Sequence, residues 1–469
     1  MPAGIFHYAA RATFATIVFA IVATTILLQP PKRFNDFDQP FYLTIAYDIN
    51  HHGVFSNGIF DGVDSTVAVP PPGKFFAPVY PGLVALVARL DGRFAKTIDC
   101  GVEANEAQRD DAACDHYAAP IRIMHAVLLT LGVLAIGAAA EIIFASAAVF
   151  WLATGLATLA LLPDAYLFAL AMTESVTFAL YNLAALALVL ALRDPHVGRM
   201  LLAGVLFGLL ALTRPSFAVL APVAVISIAV NGLWLSSAGW RVFARPALAF
   251  ALAWMAIVGP WLVRNHVSVG TWGLTEEYGS AALIERFAYD DMSARELALA
   301  FPYCLPEIGE PMVSWAFGPA AMERFVYYTP RSFFHVGRAN RDRLVEAHGR
   351  LDPLIGQVIR DEMRERWWRY LLVSVPLAWC GAWVGGYLGL ALVPLFAWGC
   401  IAALRRSQSL FLLYAAPALV MLSLHAAVAN HTTRYNLILT GPFSAAAAWL
   451  IVERARPRPA PTPAPRRPP

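Results

Sequence analysis

The sequence predicts an all-α polytopic membrane protein of about ten transmembrane helices. Interfacial helices are expected in its first outer loop, and a small outer domain between the seventh and eighth spans. Three observations predict this class. Of 469 residues, 58% are hydrophobic and 14% charged, with a mean hydropathy of +0.57; a soluble fold cannot hide that much apolar surface. Apolar runs recur near 12–29, 121–144, 145–162, 166–192, 200–213, 216–235, 247–263, 371–404, 409–428 and 436–452. Arginines then mark alternate ends of these runs: Arg11, Arg193 with Arg199, Arg241 with Arg245, Arg405 with Arg406, and the tail "RARPRPAPTPAPRRPP". The positive-inside rule makes all of these cytoplasmic, which closes with ten crossings and both termini inside.

Each element follows from that frame. The run after Arg11 is followed by "QPPKRFND" rather than a small-residue cleavage site, so it reads as an uncleaved anchor. The first outer loop spans 30–118. Within it "FFAPVYPGLVALVARL" (75–90) must not cross, or the parity breaks; its length and prolines suit an interfacial or re-entrant helix. Residues 1–265 form a seven-span core. The segment 266–368 holds 15 of the 32 acidic residues and no lysine, which suits a water-facing domain. The C-terminal spans occupy 369–453, with the crossing in 371–404 placed after Gly386 and a lead-in before it. The amphipathic "MRERWWRYLL" (363–372) enters the membrane there with its tryptophans at the interface. The tail 454–469 is Pro/Arg-rich and expected to be disordered and cytoplasmic.

The lysines, Lys32, Lys74 and Lys96, all fall in the first outer loop. Cys100 and Cys114 share that loop, so an oxidising compartment would let them pair, the alternative being two free thiols. Cys304 stands alone in the second outer region, and Cys380 and Cys400 lie in apolar runs. No cysteine or histidine spacing suggests a metal site, and the net charge of +3 gives no reason to expect nucleic acid.

The chemistry-bearing stretch is "FNDFDQPFYLTIAYDINHHG" (34–53), just outside the first run. Asp38 precedes Pro40 and a helical pattern, with Tyr42 one turn further on the same face. One reading makes Asp38 an N-cap, structural only. The other makes it a carboxylate at the lipid–water boundary whose basicity desolvation can tune. Asp36 could take the same part. Glu174 sits about nine residues inside the fourth run, where a carboxylate is costly unless it faces a cavity or a partner; it reads either as half of a helix-tying Glu–Arg pair or as a functional acid. Only about 14 apolar residues separate Arg199 from Arg214, roughly 21 Å of helix, so Arg214 falls short of the far surface and faces an internal cavity. Lys74, Arg264 and Arg434 stand at outer boundaries, as anion contacts or as snorkelling side chains. His51 and His52 close the helix after Asp38 and read as C-terminal charges.

These stretches resemble membrane glycosyltransferases of the GT-C class. They are most similar to the family 39-like branch of protein O-mannosyltransferases and lipid A aminoarabinose transferases. The matching motifs run in order: "DQPFYLTIAYDINHHGVFSNG", "PVYPGLVALV", "TESVTFALYNLAALALVLAL", "LLAGVLFGLLALTRPSFAVLAPV", "GPWLVRNHVSVGTW" and "TTRYNLILTGP". One departure stands out: the family usually has Asp-Glu in the first loop, and here Asp38 is followed by Gln39. The resemblance implies an inverting transfer of a sugar from a polyprenyl-phosphate donor to a hydroxyl of a lipid, envelope glycan or protein. Asp38 would be the base and Glu174 would orient the acceptor or contact a metal, while Tyr42, Tyr80, Lys74, Arg214, Arg264 and Arg434 would bind substrate. It also implies a bacterial inner-membrane enzyme acting on the outer face, and it leaves a divalent metal open. The competing class is a transporter, flippase or glycan polymerase. Those would carry repeated halves or charges spread through several spans, and no internal repeat is visible here.

Overall fold

The structure, a computed structural model, describes residues 3–235, 240–429 and 432–455. The tail from 456 onward, His431 and the side chain of Arg241 lie outside the described residues. Helix α1 (Ala3–Leu27) leads into the first outer loop, which carries α2 (Gln39–His51), α3 (Val79–Leu90) and α4 (Gly92–Glu106). Next come α5 (Ala119–Phe144), α6 (Ala147–Leu161), the single turn α7 (Ala165–Phe168), α8 (Glu174–Arg193), α9 (Val197–Ala211), α10 (Leu220–Val230) and α11 (Trp240–Val269). The second outer region holds α12 (Tyr278–Phe287), α13 (Ala294–Tyr303), α14 (Gly309–Phe317) and α15 (Phe333–His348). The chain ends with α16 (Ile355–Ala382), α17 (Gly389–Arg405), α18 (Ser409–Val428) and α19 (Thr440–Ala455).

Among the described residues, nine helical segments are long and apolar enough to cross a membrane. The protein is therefore an integral, all-helical membrane protein. The remaining expected span is α9, a 15-residue helix, as short as the Arg199-to-Arg214 spacing implies. It compensates by packing tightly on α11: a Cβ added at Gly204 would come within 2.4 Å of the Phe250 carbonyl oxygen. Small residues that let backbones approach this closely are how helices associate where lipid removes the hydrophobic drive.

The basic ends of the spans gather at one end of the bundle. Arg11 pairs with Glu141 at 2.6 Å, Arg193 donates to the Ile142 carbonyl, and Arg406 pairs with Glu453. Phe144 stacks on Trp449 beside them. The loops carrying Asp38, Glu174, Arg214 and Arg434 lie at the opposite end.

The structure corrects two expectations. The run 166–192 is not continuous: α7 stops at Phe168 and α8 begins at Glu174. The backbone in between is claimed by side chains of other elements. Ala171 N–H donates to Gln39, Arg122 donates to the Ala169 carbonyl, and His125 to the Phe168 carbonyl. Glu174 therefore starts a helix instead of lying deep inside one. Cys304, read as solitary, is bonded to Cys380 across 76 residues of chain; α13 packs along α16 and brings the two together. Cys100 and Cys114 are also joined. At the other soft boundary, α16 runs unbroken through 363–372. It ends before Gly385 and Gly386, whose positive φ angles turn the chain into the crossing helix α17.

Candidate active site

Asp38 occupies the N-cap position of α2 but makes no capping hydrogen bond with its side chain. Its carboxylate reaches Arg434 instead, at 2.8 Å between Oδ2 and Nη2. The purely structural reading of Asp38 predicts the opposite, because a capping side chain would spend its oxygens on the first-turn N–H groups. The preceding Phe37 has φ +58°, an uncommon conformation for a bulky residue. That turn is closed by the Arg33 N–H donating to Asp36 at 2.9 Å, so Asp36 serves the loop. The residue in place of the usual second acid, Gln39, is buried. It donates to the Arg33 carbonyl at 2.9 Å and accepts from Ala171 N–H at 2.8 Å. It thus fastens the loop that carries Asp38 to the turn that leads into Glu174.

Glu174 is 3% exposed in the first turn of α8, where the helix dipole favours a carboxylate. Its Oε1 lies 3.2 Å from Arg214 and 3.9 Å from Arg434, while Oε2 is buried without a hydrogen-bond partner among the described residues. Arg434 therefore faces both acids. Arg214 and Arg434 also face one ring, Tyr435, with guanidinium carbons 4.9 and 5.1 Å from its centroid. Cation–π contact with a shared ring holds two like charges side by side without either being consumed by a carbonyl. The pairing of Glu174 with arginine is realised, and Asp38 belongs to the same group.

Aromatic side chains wall this group. Burial, followed by the nearby Asp38, pushes the Tyr42 hydroxyl well above its ordinary range, so it stays protonated. Tyr80 meets Tyr42 edge-on at 5.1 Å; it is fully buried, and its hydroxyl donates to His125 at 3.2 Å. Tyr80 therefore supports Tyr42 from behind. Tyr278, 44% exposed, packs against Phe75 and Phe76 and lies within electrostatic reach of Asp38, Tyr42, Arg214 and Tyr435. Of the aromatic residues around the acids, Tyr42 and Tyr80 carry a signal in sequence, each within a quoted motif. Tyr435 is marked at most by its place beside Arg434, and Tyr278 by nothing.

Lys74 and Arg264 belong to an adjoining network. Arg264 donates to the carbonyls of Gly73 (2.5 Å) and Phe55 (2.8 Å). Lys74, 3% exposed, bonds to Thr271 and lies 3.9 Å from Glu276. Glu276 in turn pairs with Arg350. The structure thus brings Asp38, Tyr42, Glu174, Arg214 and Arg434 together, and holds Lys74 and Arg264 next door with their donors engaged. His51 and His52 bond to Asp99 and the Ser65 carbonyl. In this arrangement the two carboxylates are paired with guanidinium groups, Asp38 with Arg434 and Glu174 with Arg214 and Arg434, rather than set out as metal ligands. The carboxylates of Glu276, Glu277 and Asp352 lie close together. They are committed to Arg350, to the Leu351 and Asp352 N–H groups, and to Ser280.

No protein-family model matches the sequence, and no curated protein does. Solved structures do resemble the fold. The oligosaccharyltransferase AglB of Archaeoglobus fulgidus, in complex with an inhibitory peptide and a dolichol-phosphate, is 10% identical with a TM-score of 0.49, over 95% of this chain and 51% of that one. The oligosaccharyltransferase of the same organism, in complex with zinc and sulfate, is 11% identical with a TM-score of 0.46, over 94% and 49%. The chain thus spans about half the length of these two. ArnT of Cupriavidus metallidurans, bound to undecaprenyl phosphate, is 14% identical with a TM-score of 0.40, over 95% and 78%. All are membrane glycosyltransferases of the GT-C class.

Proposed function

We propose that this chain is an inverting glycosyltransferase that moves a sugar from a polyprenyl-phosphate donor to a hydroxyl acceptor at the non-cytoplasmic face of the membrane. One observation carries the reading. Asp38 leaves its N-cap role to join Glu174, Arg214 and Arg434 at the end of the bundle opposite the arginine-rich span ends. The positive-inside rule then makes the site's end non-cytoplasmic. A transport route would scatter such charges along the spans; here they gather at one site, which supports surface chemistry.

In this mechanism the acceptor oxygen attacks the anomeric carbon as the bond from that carbon to the phosphate oxygen breaks. The bonding pair leaves with the polyprenyl phosphate, and the hydroxyl proton passes to the Asp38 carboxylate. A well-placed base of this kind contributes about 10²–10⁴-fold. Arg214 and Arg434 supply planar, doubly donating cations for the leaving phosphate. Arg434 moving from Asp38 to phosphate would free the carboxylate as its proton acceptor. Glu174 holds both guanidiniums in place.

The test is purified protein in vesicles offered a panel of polyprenyl-phosphate sugars with candidate acceptors, reading release of polyprenyl phosphate. Donor consumption that Asp38→Asn abolishes in folded protein supports the reading. Undiminished turnover by that variant removes Asp38 from the chemistry.

A further inference from the structure

The short helix α14 and its approach present an exposed apolar face. Ile308, Met312 and Trp315 recur at i, i+4 and i+7 and are 40%, 40% and 89% exposed, while Val313 on the opposite face is buried. The helix also has a fixed height. A Cβ added at Gly389 would meet Pro306 at 3.9 Å and one added at Gly386 would meet Glu307 at 3.8 Å, where the crossing helix α17 starts. Cys304 is bonded to Cys380 in the apolar second half of α16, and Trp379 donates to the Phe301 carbonyl at 2.8 Å. Along α16 itself Trp368, Leu371, Leu372 and Val375 form an exposed stripe. The face of α14 therefore continues a belt already at the ends of the spans.

We propose that α14 lies in the surface of the bilayer as a lipid-contacting anchor for the second outer region, latched to α16 by Cys304–Cys380. The occupant is the bilayer because the face is set by covalent attachment and by contact with a span end, at the depth where amphipathic helices insert about 5–10 Å. Trp315 is suited to that boundary, where an indole can bury its ring and keep its N–H in the headgroup layer.

The full-length chain with Cys400→Ala and Trp315→Cys, labelled with an environment-sensitive fluorophore in phosphatidylcholine nanodiscs, tests this. Shallow doxyl-labelled lipid is expected to remove more than about half of the emission, with aqueous iodide removing little. The same label at Glu346→Cys, on exposed α15, should show the reverse. Because a new cysteine could disturb the nearby disulfide, Trp315→Phe in the otherwise native chain gives a second reading: quenching of total tryptophan emission by brominated lipid should fall. Iodide access at 315 equal to that at 346, no change on Trp315→Phe, or shielding that appears only as protein concentration rises, each overturns the proposal.

Discussion

Gln39 tests the geometry most sharply, because a single atom changes when it is replaced by glutamate. The native amide donates from Nε2 to the Arg33 carbonyl and accepts at Oε1 from Ala171 N–H, both in a buried setting. In Gln39→Glu the ionised carboxylate could still accept from Ala171 but would press a second negative oxygen against the Arg33 carbonyl. Losing a buried donor this way costs about 1–3 kcal/mol. Relief comes from moving the 33–38 loop, and Asp38 with it, away from Glu174; a displacement of about 1 Å costs on the order of 10²-fold in rate. Burial and the facing carbonyl also raise the pKa of the introduced carboxyl. Its protonated form restores the native pattern, because the new O–H donates where the amide did. The contact is therefore present below that raised pKa and lost as pH rises through it. The assay is polyprenyl-phosphate release by Gln39→Glu, divided by wild type at each pH from about 5.5 to about 8. The ratio should be well below one at the alkaline end and climb toward one as pH falls, whereas Gln39→Ala should be impaired without pH dependence. A flat ratio near one across the range would refute the positioning role.

Tyr435→Leu removes the ring under both guanidiniums; donor KM should rise several-fold and the melting temperature should fall, each lost contact being worth about 0.5–2 kcal/mol. Arg434→Lys keeps the charge but cannot face Asp38 and Glu174 together, so turnover should fall at least about tenfold while the equivalent Arg214 change preserves the Asp38 contact and costs less. Cys304→Ser should lower the melting temperature, the 76-residue separation setting an entropic ceiling of about 4–5 kcal/mol; Cys380→Ser should match it, and the double variant should add nothing further. Asp61 is pushed up to about 6 by burial, with Asp48 adding to the effect. Its folded pKa lies above the unfolded value, so the folded state loses stability as pH rises from about 4 through 6. Melting curves of Asp61→Asn should lack that part of the slope, on the order of 1 kcal/mol after allowance for its partial exposure.

What could be read from the sequence depended on whether a feature was local. The spans were legible because hydropathy and arginine placement act over a single helix, and the shortness of α9 followed from counting between Arg199 and Arg214. Asp38 was legible as a residue of two readings, because N-cap spacing and boundary position are both local. The start of α8 was not. Nothing in "ALAMTES" forbids helix; the break is imposed by Gln39, Arg122 and His125, from α2 and α5. Cys304 could not be paired by inspection, because its partner's proximity depends on how α13 lies along α16. Lys74, Arg264, Arg214 and Arg434 all read as anion contacts in sequence, and only the geometry shows that the donors of Lys74 and Arg264 are engaged within their own network.

That last distinction has a physical basis in charge balance. Asp38, Glu174, Arg214 and Arg434 sum to zero, and each buried ion is partnered, which offsets a desolvation cost of several kcal/mol per ion. A neutral set of this kind is stable without ligand yet disposed to exchange. An incoming phosphate can draw the guanidiniums away from carboxylates that the helix dipole at Glu174 and water at partly exposed Asp38 can each accommodate. Arg264 has no such alternative, since its donors hold backbone carbonyls that would be left unsatisfied. The group that can trade partners at low cost is thus the one containing Asp38. A double-mutant cycle between Asp38→Asn and Arg434→Lys should accordingly show strong coupling in turnover, whereas a cycle between Asp38→Asn and Arg264→Lys should be additive. Additivity in the first cycle would mean that the contact between Asp38 and Arg434 contributes nothing to the reaction.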